Sequence, residues 1–355
     1  VIVDDPAGIS AGWLTEVLQS AGVDASVRDV AVSPVGTGQM ASCVRLDVTY
    51  ERGDGPATLV AKLPSPDPEV RRTGATTYRT EVHFYRDLAP SLPVAVPRCY
   101  LAVVTDDGTA FTLLLEDMAP ATAGDQLGGC TPAQAEAAAI AVAGLHGGSW
   151  CDRATRALDW LIPPVDVLAA HIEAVFGDVV ETFLGHRALD DATTAVLRRY
   201  AKSFASWATG RSGPWSLLHN DYRLDNLLFA PDDAPAPGVT TVDWQSLTTG
   251  PPLRDVAFLL GSGLDPVDRR AHERDIVGTY HDRLASIGVE DYDAEQCWDD
   301  YRHALFHGLF ICVMGEAFSK PTERGRQMFT VMAERSAVAI DDLDSFALVD
   351  EEAHP

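Results

Sequence analysis

Apolar and polar positions change their period along this chain. In residues 10–20, Trp13, Leu14, Val17 and Leu18 recur at three- and four-residue spacing, which predicts a helix capped by Ser10 and ended by Gly22. Apolar runs at 27–35, 58–63, 99–104 and 110–115, and strict alternation over 44–50, predict five strands joined by turns rich in Gly, Asp and Pro. A helical period over 78–88 sets Tyr78, Glu81, Tyr85 and Leu88 on one face. Beyond Met118 the pattern turns helical. Thr131-Pro132-Ala133-Gln134 has the form of a capping box, opening an Ala-rich helix that runs to His146 and is stopped by Gly147-Gly148. Over 160–210 two stripes recur, one of Val167, Leu168, His171, Ile172, Val175 and Phe176, the other of Leu197, Tyr200, Phe204 and Trp207. Further helices are expected near 253–260, 267–284 and 294–318, and the acidic end, 341–355, reads as a solvated tail or terminal turn. Between the two patterns, Glu116-Asp117-Met118-Ala119-Pro120 reads as a loop after a buried strand.

Composition narrows the picture. At 355 residues the chain is long enough for two cores. A net charge of −25 disfavours nucleic acid and anionic membranes as partners, and fits either a well-solvated surface or the attraction of a cationic small molecule. The six cysteines are dispersed with no Cys-x-x-Cys, so neither a zinc knuckle nor a disulfide framework is expected. With no basic leader and no membrane-length apolar run, the expected location is the cytoplasm. Nothing in the pattern fixes an oligomeric state.

The chemistry concentrates in residues 215–245. The polar loop His219-Asn220-Asp221-Tyr222-Arg223-Leu224-Asp225-Asn226 lies between the apolar runs 217–218 and 227–229, and a further apolar run, 239–242, leads into Asp243-Trp244-Gln245. Apolar strands on either side would fix the loop, and Asp221, Asn226 and Asp243 supply hard oxygen donors of the kind Mg²⁺ takes. Upstream, Lys62 stands among apolar strand residues and so calls for an anionic partner, which Glu81 on its helix could be. Gly36 and Gly38 lie in a turn between two strands, where backbone amides could approach phosphate oxygens. His146 reads as a packing histidine.

The spacing His-x-Asp-x-x-x-x-Asn, followed by a strand ending in Asp, resembles the catalytic loop and metal-binding aspartate of kinases, and more closely the aminoglycoside phosphotransferase superfamily. The Asp243-Trp244-Gln245 triplet and the segment Leu113-Leu114-Leu115-Glu116-Asp117-Met118 look like its ecdysteroid-kinase-like, choline/hydroxyl-kinase-like branch. The resemblance implies an α+β, bilobal protein-kinase-like fold divided at a hinge near Met118: a small antiparallel-sheet nucleotide-binding lobe, residues 1–117, and a larger, mostly helical lobe, residues 118–355, carrying the catalytic loop and the acceptor pocket. It implies ATP or GTP as donor, a small-molecule hydroxyl as acceptor, Asp221 as base, and Asn226 and Asp243 as Mg²⁺ ligands. Lys62, Glu81, Gly36 and Gly38 would serve the nucleotide phosphates, and the backbone of Glu116 to Met118 the adenine edge. His219 would anchor the loop and Asp255 would steady it. Asn220 stands where the family commonly has glycine, and asparagine tolerates left-handed backbone. Helices over 155–200 would wall the acceptor pocket. In the 294–318 helix, Tyr301, His303, His307 and Glu316 mix with an apolar stripe and read first as core packing, with lining of the acceptor site as the alternative. No Asp-Phe-Gly or Ala-Pro-Glu frames an activation loop. An alcohol kinase, an enzyme modifying an aminoglycoside or macrolide, and a catalytically silent nucleotide-binding scaffold all remain open at this level.

Overall fold

The computed structural model describes residues 2–36, 40–231 and 238–350. The fold is α+β, with two compact units. One takes the chain up to Ser91, then Val96–Pro120 and Val242–Leu247; the other takes Leu92–Ala95, Ala121–Thr241 and the chain from Thr248 onward.

The first unit is a helix-backed sheet. After α1 (Ala11–Ser20) come β1 (Ser26–Pro34), β2 (Ala41–Arg52), β3 (Thr58–Pro64), α2 (Pro68–His83), β4 (Cys99–Val104) and β5 (Phe111–Glu116). The strands are antiparallel in the order β1-β2-β3-β5-β4, so β3 is central, and Lys62 pairs with Cys43 on β2 and Leu113 on β5. Ser10 caps α1 by accepting from the Trp13 amide, and Trp13, Leu14, Val17 and Leu18 are buried in one cluster with Leu46, Leu59 and Leu63. Helix α2 begins ten residues earlier than the apolar period suggests. The Asp67 carboxylate caps it, Pro68 occupies its first turn, and Phe84–Leu88 continue as a wider π turn.

The second unit holds β6 (Thr122–Ala123), α3 (Pro132–Gly148), α4 (Arg153–Arg156), α5 (Val165–Gly185), α6 (Asp191–Thr209), β7 (Ser216–Leu218), β8 (Leu227–Phe229), β9 (Val239–Thr241) and β10 (Thr248–Gly250). There follow α7 (Leu253–Gly263), α8 (Pro266–Ser286), α9 (Ala294–Ala304), α10 (Phe306–Phe318), α11 (Glu323–Asp342) and α12 (Phe346–Asp350). Thr131 and Gln134 form the expected capping box, and Leu197, Tyr200, Phe204 and Trp207 are fully buried.

Four expectations are corrected here. Helix α3 runs through Gly147 and Gly148 to a cap at Ser149. These glycines serve close approach: a Cβ on Gly148 would stand 2.7 Å from Pro93 Cδ. Val167 and Val175 are 65% and 49% exposed, because the buried face of α5 follows Ala169, Phe176, Val180 and Phe183. The expected 294–318 helix is two helices meeting at Leu305. The acidic end is no tail as far as 350: Asp342 closes α11 and pairs with Arg269 and Arg270, and Phe346 is buried in α12. Among the described residues, no helix is long and apolar enough to cross a membrane.

Candidate active site

In the first unit, sheet and helix bring a cation and two carboxylates together. Lys62 points off the central strand, where a lone ammonium would be costly. Its Nζ lies 2.9 and 2.7 Å from the two oxygens of Glu81 on α2, and 2.7 Å from Asp243 Oδ1. Burial pulls the Lys62 pKa down, but Asp243 and Glu81 outweigh it and hold the ammonium well above its usual range. One ammonium against two carboxylates leaves one net negative charge, beside which a metal cation is favoured.

Asp243 reaches this position through a left-handed backbone, φ 67° and ψ 62°. The next residue, Trp244, is fully buried and stacks on Phe84 at 3.8 Å, which anchors the turn. Gln245 Nε2 approaches Asp243 Oδ2 at 3.4 Å.

The other nucleotide-site candidates of this unit lie nearby in the sheet. Gly36 has φ 74°, the left-handed geometry that a glycine turn supplies; Gly38 lies outside the described residues. Tyr78 on α2 accepts from the Ser65 amide and donates to Met40 O just past that turn. Glu116 ends β5, with its carboxylate accepting from the Arg98 amide at 3.2 Å, and Met118 is half-buried. Between them Asp117 pairs with Arg45 at 2.8 Å. Nothing in the local pattern around Tyr78 or Arg45 announced these tethers.

In the second unit the polar loop is held at both ends. At its start, the fully buried Asp255 of α7 accepts from the His219 amide at 2.7 Å and the Asn220 amide at 2.9 Å. His146 joins it, with Nε2 3.2 Å from Asp255 and Nδ1 2.8 Å from the Tyr280 hydroxyl. Burial pushes the Asp255 carboxyl up, but His146 and the neighbouring His219 and His307 bring it below the ordinary carboxylate range. Asn220 takes the left-handed conformation, φ 67°, and His219 is fully buried.

Gln126 holds the other end. It is fully buried; its Oε1 accepts from the Leu224 amide at 2.9 Å, its Nε2 donates to Ser262 O at 3.1 Å, and its own amide donates to Asp225 Oδ1 at 3.0 Å. Arg335 clamps the same turn by donating to Gln126 O and Ser262 O. Tyr222 ties the middle of the loop to α3 by donating to Ala138 O at 2.8 Å.

Between these supports, Asn226 Nδ2 donates to Asp221 O and Oδ2, both at 2.9 Å. Arg223 Nε lies 3.2 and 3.3 Å from the two Asp221 oxygens, while its Nη1 takes Asp225 Oδ2 at 2.6 Å. The loop is thus a carboxylate in a fixed orientation, with a carboxamide beside it. Asp243 and Asn226 fit Mg²⁺ chemically, being hard oxygen donors. Among the described residues no three His, Cys, Asp or Glu converge on a metal position.

The phosphotransferase enzyme family matches residues 45–295, a span that takes in Lys62, Glu81, the loop, Asp243 and Asp255. The chain belongs to the phosphotransferase enzyme family. Solved structures share this phosphotransferase's fold at low identity. A microcompartment-associated aminopropanol kinase is 18% identical with a TM-score of 0.57, covering 94% of this chain and 99% of its own. The GDP complex of aminoglycoside 2'-phosphotransferase-IIIa is 13% identical, TM-score 0.56, covering 92% and 98%. Choline kinase from Cryptosporidium parvum Iowa II is 10% identical, TM-score 0.56, covering 92% of each chain. No curated protein is a significant match. The family and the protein-kinase-like α+β fold agree with what the loop spacing implied.

Proposed function

We propose that this phosphotransferase moves the γ-phosphoryl group of ATP or GTP to a hydroxyl of a small molecule. The observation that carries the reading is the grip on Lys62 Nζ by Glu81 and Asp243, which holds a charged ammonium where nucleotide phosphates need one. The first unit is assigned the nucleotide, with Gly36 and Gly38 at the phosphates and the Glu116–Met118 backbone at the base. The second is assigned the acceptor.

Asp221 orients the acceptor hydroxyl and takes its proton as the new O–P bond forms and the bond from the γ-phosphorus to the bridging oxygen breaks, leaving the nucleoside diphosphate. Arg223 and Asn226 hold that carboxylate in one rotamer, so little reorganisation is needed at the moment of transfer. Mg²⁺, bound by Asp243 and Asn226, would neutralise charge on the phosphates. His219 and Asp255 keep the loop in register. The names of the structures that share the fold, kinases of aminopropanol and choline and a phosphotransferase of aminoglycosides, support a small-molecule acceptor.

The test is release of nucleoside diphosphate from Mg²⁺-ATP and Mg²⁺-GTP across a panel of alcohols, amino alcohols and aminoglycosides. Asp221→Ala should lower kcat by about 10³-fold with nucleotide affinity unchanged, as expected for loss of a positioned base. Equal turnover by the parent and the variant would sink the assignment. Nucleotide binding without turnover on any acceptor would favour the silent scaffold.

A further inference from the structure

A groove of about 590 Å³ runs along the second unit between α5 and α10, a volume typical of small-molecule sites. Val179 and Phe183 of α5, Val313 and Ala317 of α10, and Pro321 give it an apolar lining. Two of the large exposed hydrophobics continue that surface: Val175, one helical turn before Val179, and Phe318, which directly follows Ala317.

The one carboxylate lining the groove belongs to Glu316, and it is already committed. One of its oxygens pairs with Arg187, and the other lies 2.9 Å from His186 Nδ1. Arg187 is 5% exposed, donates to Phe183 O and Thr330 Oγ1, and covers the Phe183 ring at 3.4 Å. Glu316 is already charge-matched by the buried Arg187, so a cation entering here meets no uncompensated carboxylate, and drawing Glu316 away from that guanidinium is costly.

Helix α11 links the groove to the catalytic loop. Arg223, which holds Asp221, also reaches Met328 Sδ at 3.5 Å on α11, the helix that brings Arg326 to the groove.

We infer that this groove receives the uncharged, apolar body of the acceptor alcohol, which places its hydroxyl at Asp221, and that polycations are poor occupants. The inference rests on the phosphotransferase reading and narrows its substrate class.

The test uses geraniol and 1-octanol as uncharged probes, choline and kanamycin as cationic ones, and Ala317→Trp to fill the groove at an exposed helix position. Saturation-transfer NMR reads binding; nucleoside diphosphate release reads turnover; nucleotide affinity is measured alongside. The uncharged alcohols should bind and exceed the cations in kcat/KM by about tenfold or more, and Ala317→Trp should weaken their binding by a similar factor with nucleotide affinity unchanged. Preference for choline or kanamycin, absence of alcohol binding, or binding indifferent to Ala317→Trp would each overturn the groove assignment while leaving phosphotransfer standing. Alcohol binding that Ala317→Trp abolishes, in a protein that turns over no acceptor, would support the groove and defeat the phosphotransferase reading.

Discussion

Lys62 and Asp255 are both buried charges beside the proposed chemistry, and they are stabilised in opposite ways. The ammonium of Lys62 is matched by charges, Glu81 and Asp243. The carboxylate of Asp255 is matched by backbone dipoles, the amides of His219 and Asn220, together with the His146 ring. Ion pairing leaves the backbone free of the arrangement, so a phosphate can enter it as a further partner of the ammonium. Amide capture commits the backbone itself: Asp255 fixes two consecutive peptide planes and with them the origin of the Asp221 loop. In the proposed reading the first cluster binds the nucleotide and the second holds the loop still.

The largest expected effect is in the first cluster. Lys62→Ala would leave Glu81, whose side chain is 2% exposed, without its cation, and breaking such a pair costs about 3 kcal/mol or more. Asp243 is 29% exposed, so solvent relieves part of its share. The variant should lose nucleotide affinity and show a lowered chemical-denaturation midpoint for the first unit. Lys62→Met in combination with Glu81→Leu should recover the stability but not the nucleotide binding. Recovery of both would show that the ammonium is structural only.

In the second unit the two ends of the loop should rank. Asp255→Ala exposes two buried amides to no acceptor and should cost about 2–4 kcal/mol, whereas Gln126→Ala removes one acceptor at Leu224 and should cost about 1–2 kcal/mol. Both should lower kcat more than they change nucleotide KM, because the damage falls on Asp221 and not on Lys62. Gln126→Glu, which keeps an acceptor oxygen for Leu224 but turns the Nε2 donor facing Ser262 O into an acceptor, should stay as low in kcat as Gln126→Ala. Steady-state kinetics and urea melts of the four proteins decide the ranking; an equal loss of nucleotide affinity in all would break the division of labour between the units.

How much of this was legible in the sequence follows the same divide. Lys62 and Glu81 could be read because each is a charged residue at a position where strand or helix period demands an apolar one. Asp221 and Asn226 could be read because their spacing is local to one loop. Gln126 could not: it is a polar residue in a polar turn, and its role depends on contacts with Leu224, Asp225 and Ser262 that only the fold creates. The same holds for Arg187, whose partners Phe183, Glu316 and Thr330 come from three helices. Helical period misjudged Val167 and Val175 because a long apolar stripe does not say which of its edges the neighbours cover. It also ran through Leu305, where one helix closes and the next opens. Asn220 was legible for the opposite reason, since its left-handed backbone is a property of the residue and its turn.

The sharpest test of the contrast is the response to acid. Lys62 stays protonated as pH falls, so the first cluster contributes no slope through its ammonium on mild acidification. Two buried histidines of the second unit behave differently. Burial, reinforced by Arg211 and Arg254 at His303 and by Arg254 at His307, brings both down to about 3, with Asp255 opposing at His307. Their folded pKa values lie below the unfolded value near 6.5, so the unfolded chain binds more protons between these limits. Their contribution is therefore complete above about pH 6.5 and is lost progressively towards pH 3, at on the order of 1 kcal/mol per pH unit for each ring. Asp255, lowered from the ordinary carboxylate range, gives up its contribution only below about pH 4, as pH falls through its folded value. Between pH 7 and 5 the second unit should lose stability while the first scarcely changes, and His307→Gln should flatten part of that slope. Domain-resolved hydrogen exchange at the two pH values reads this directly; a first unit that weakens as steeply as the second would remove the distinction between a cluster held by charges and one held by its backbone.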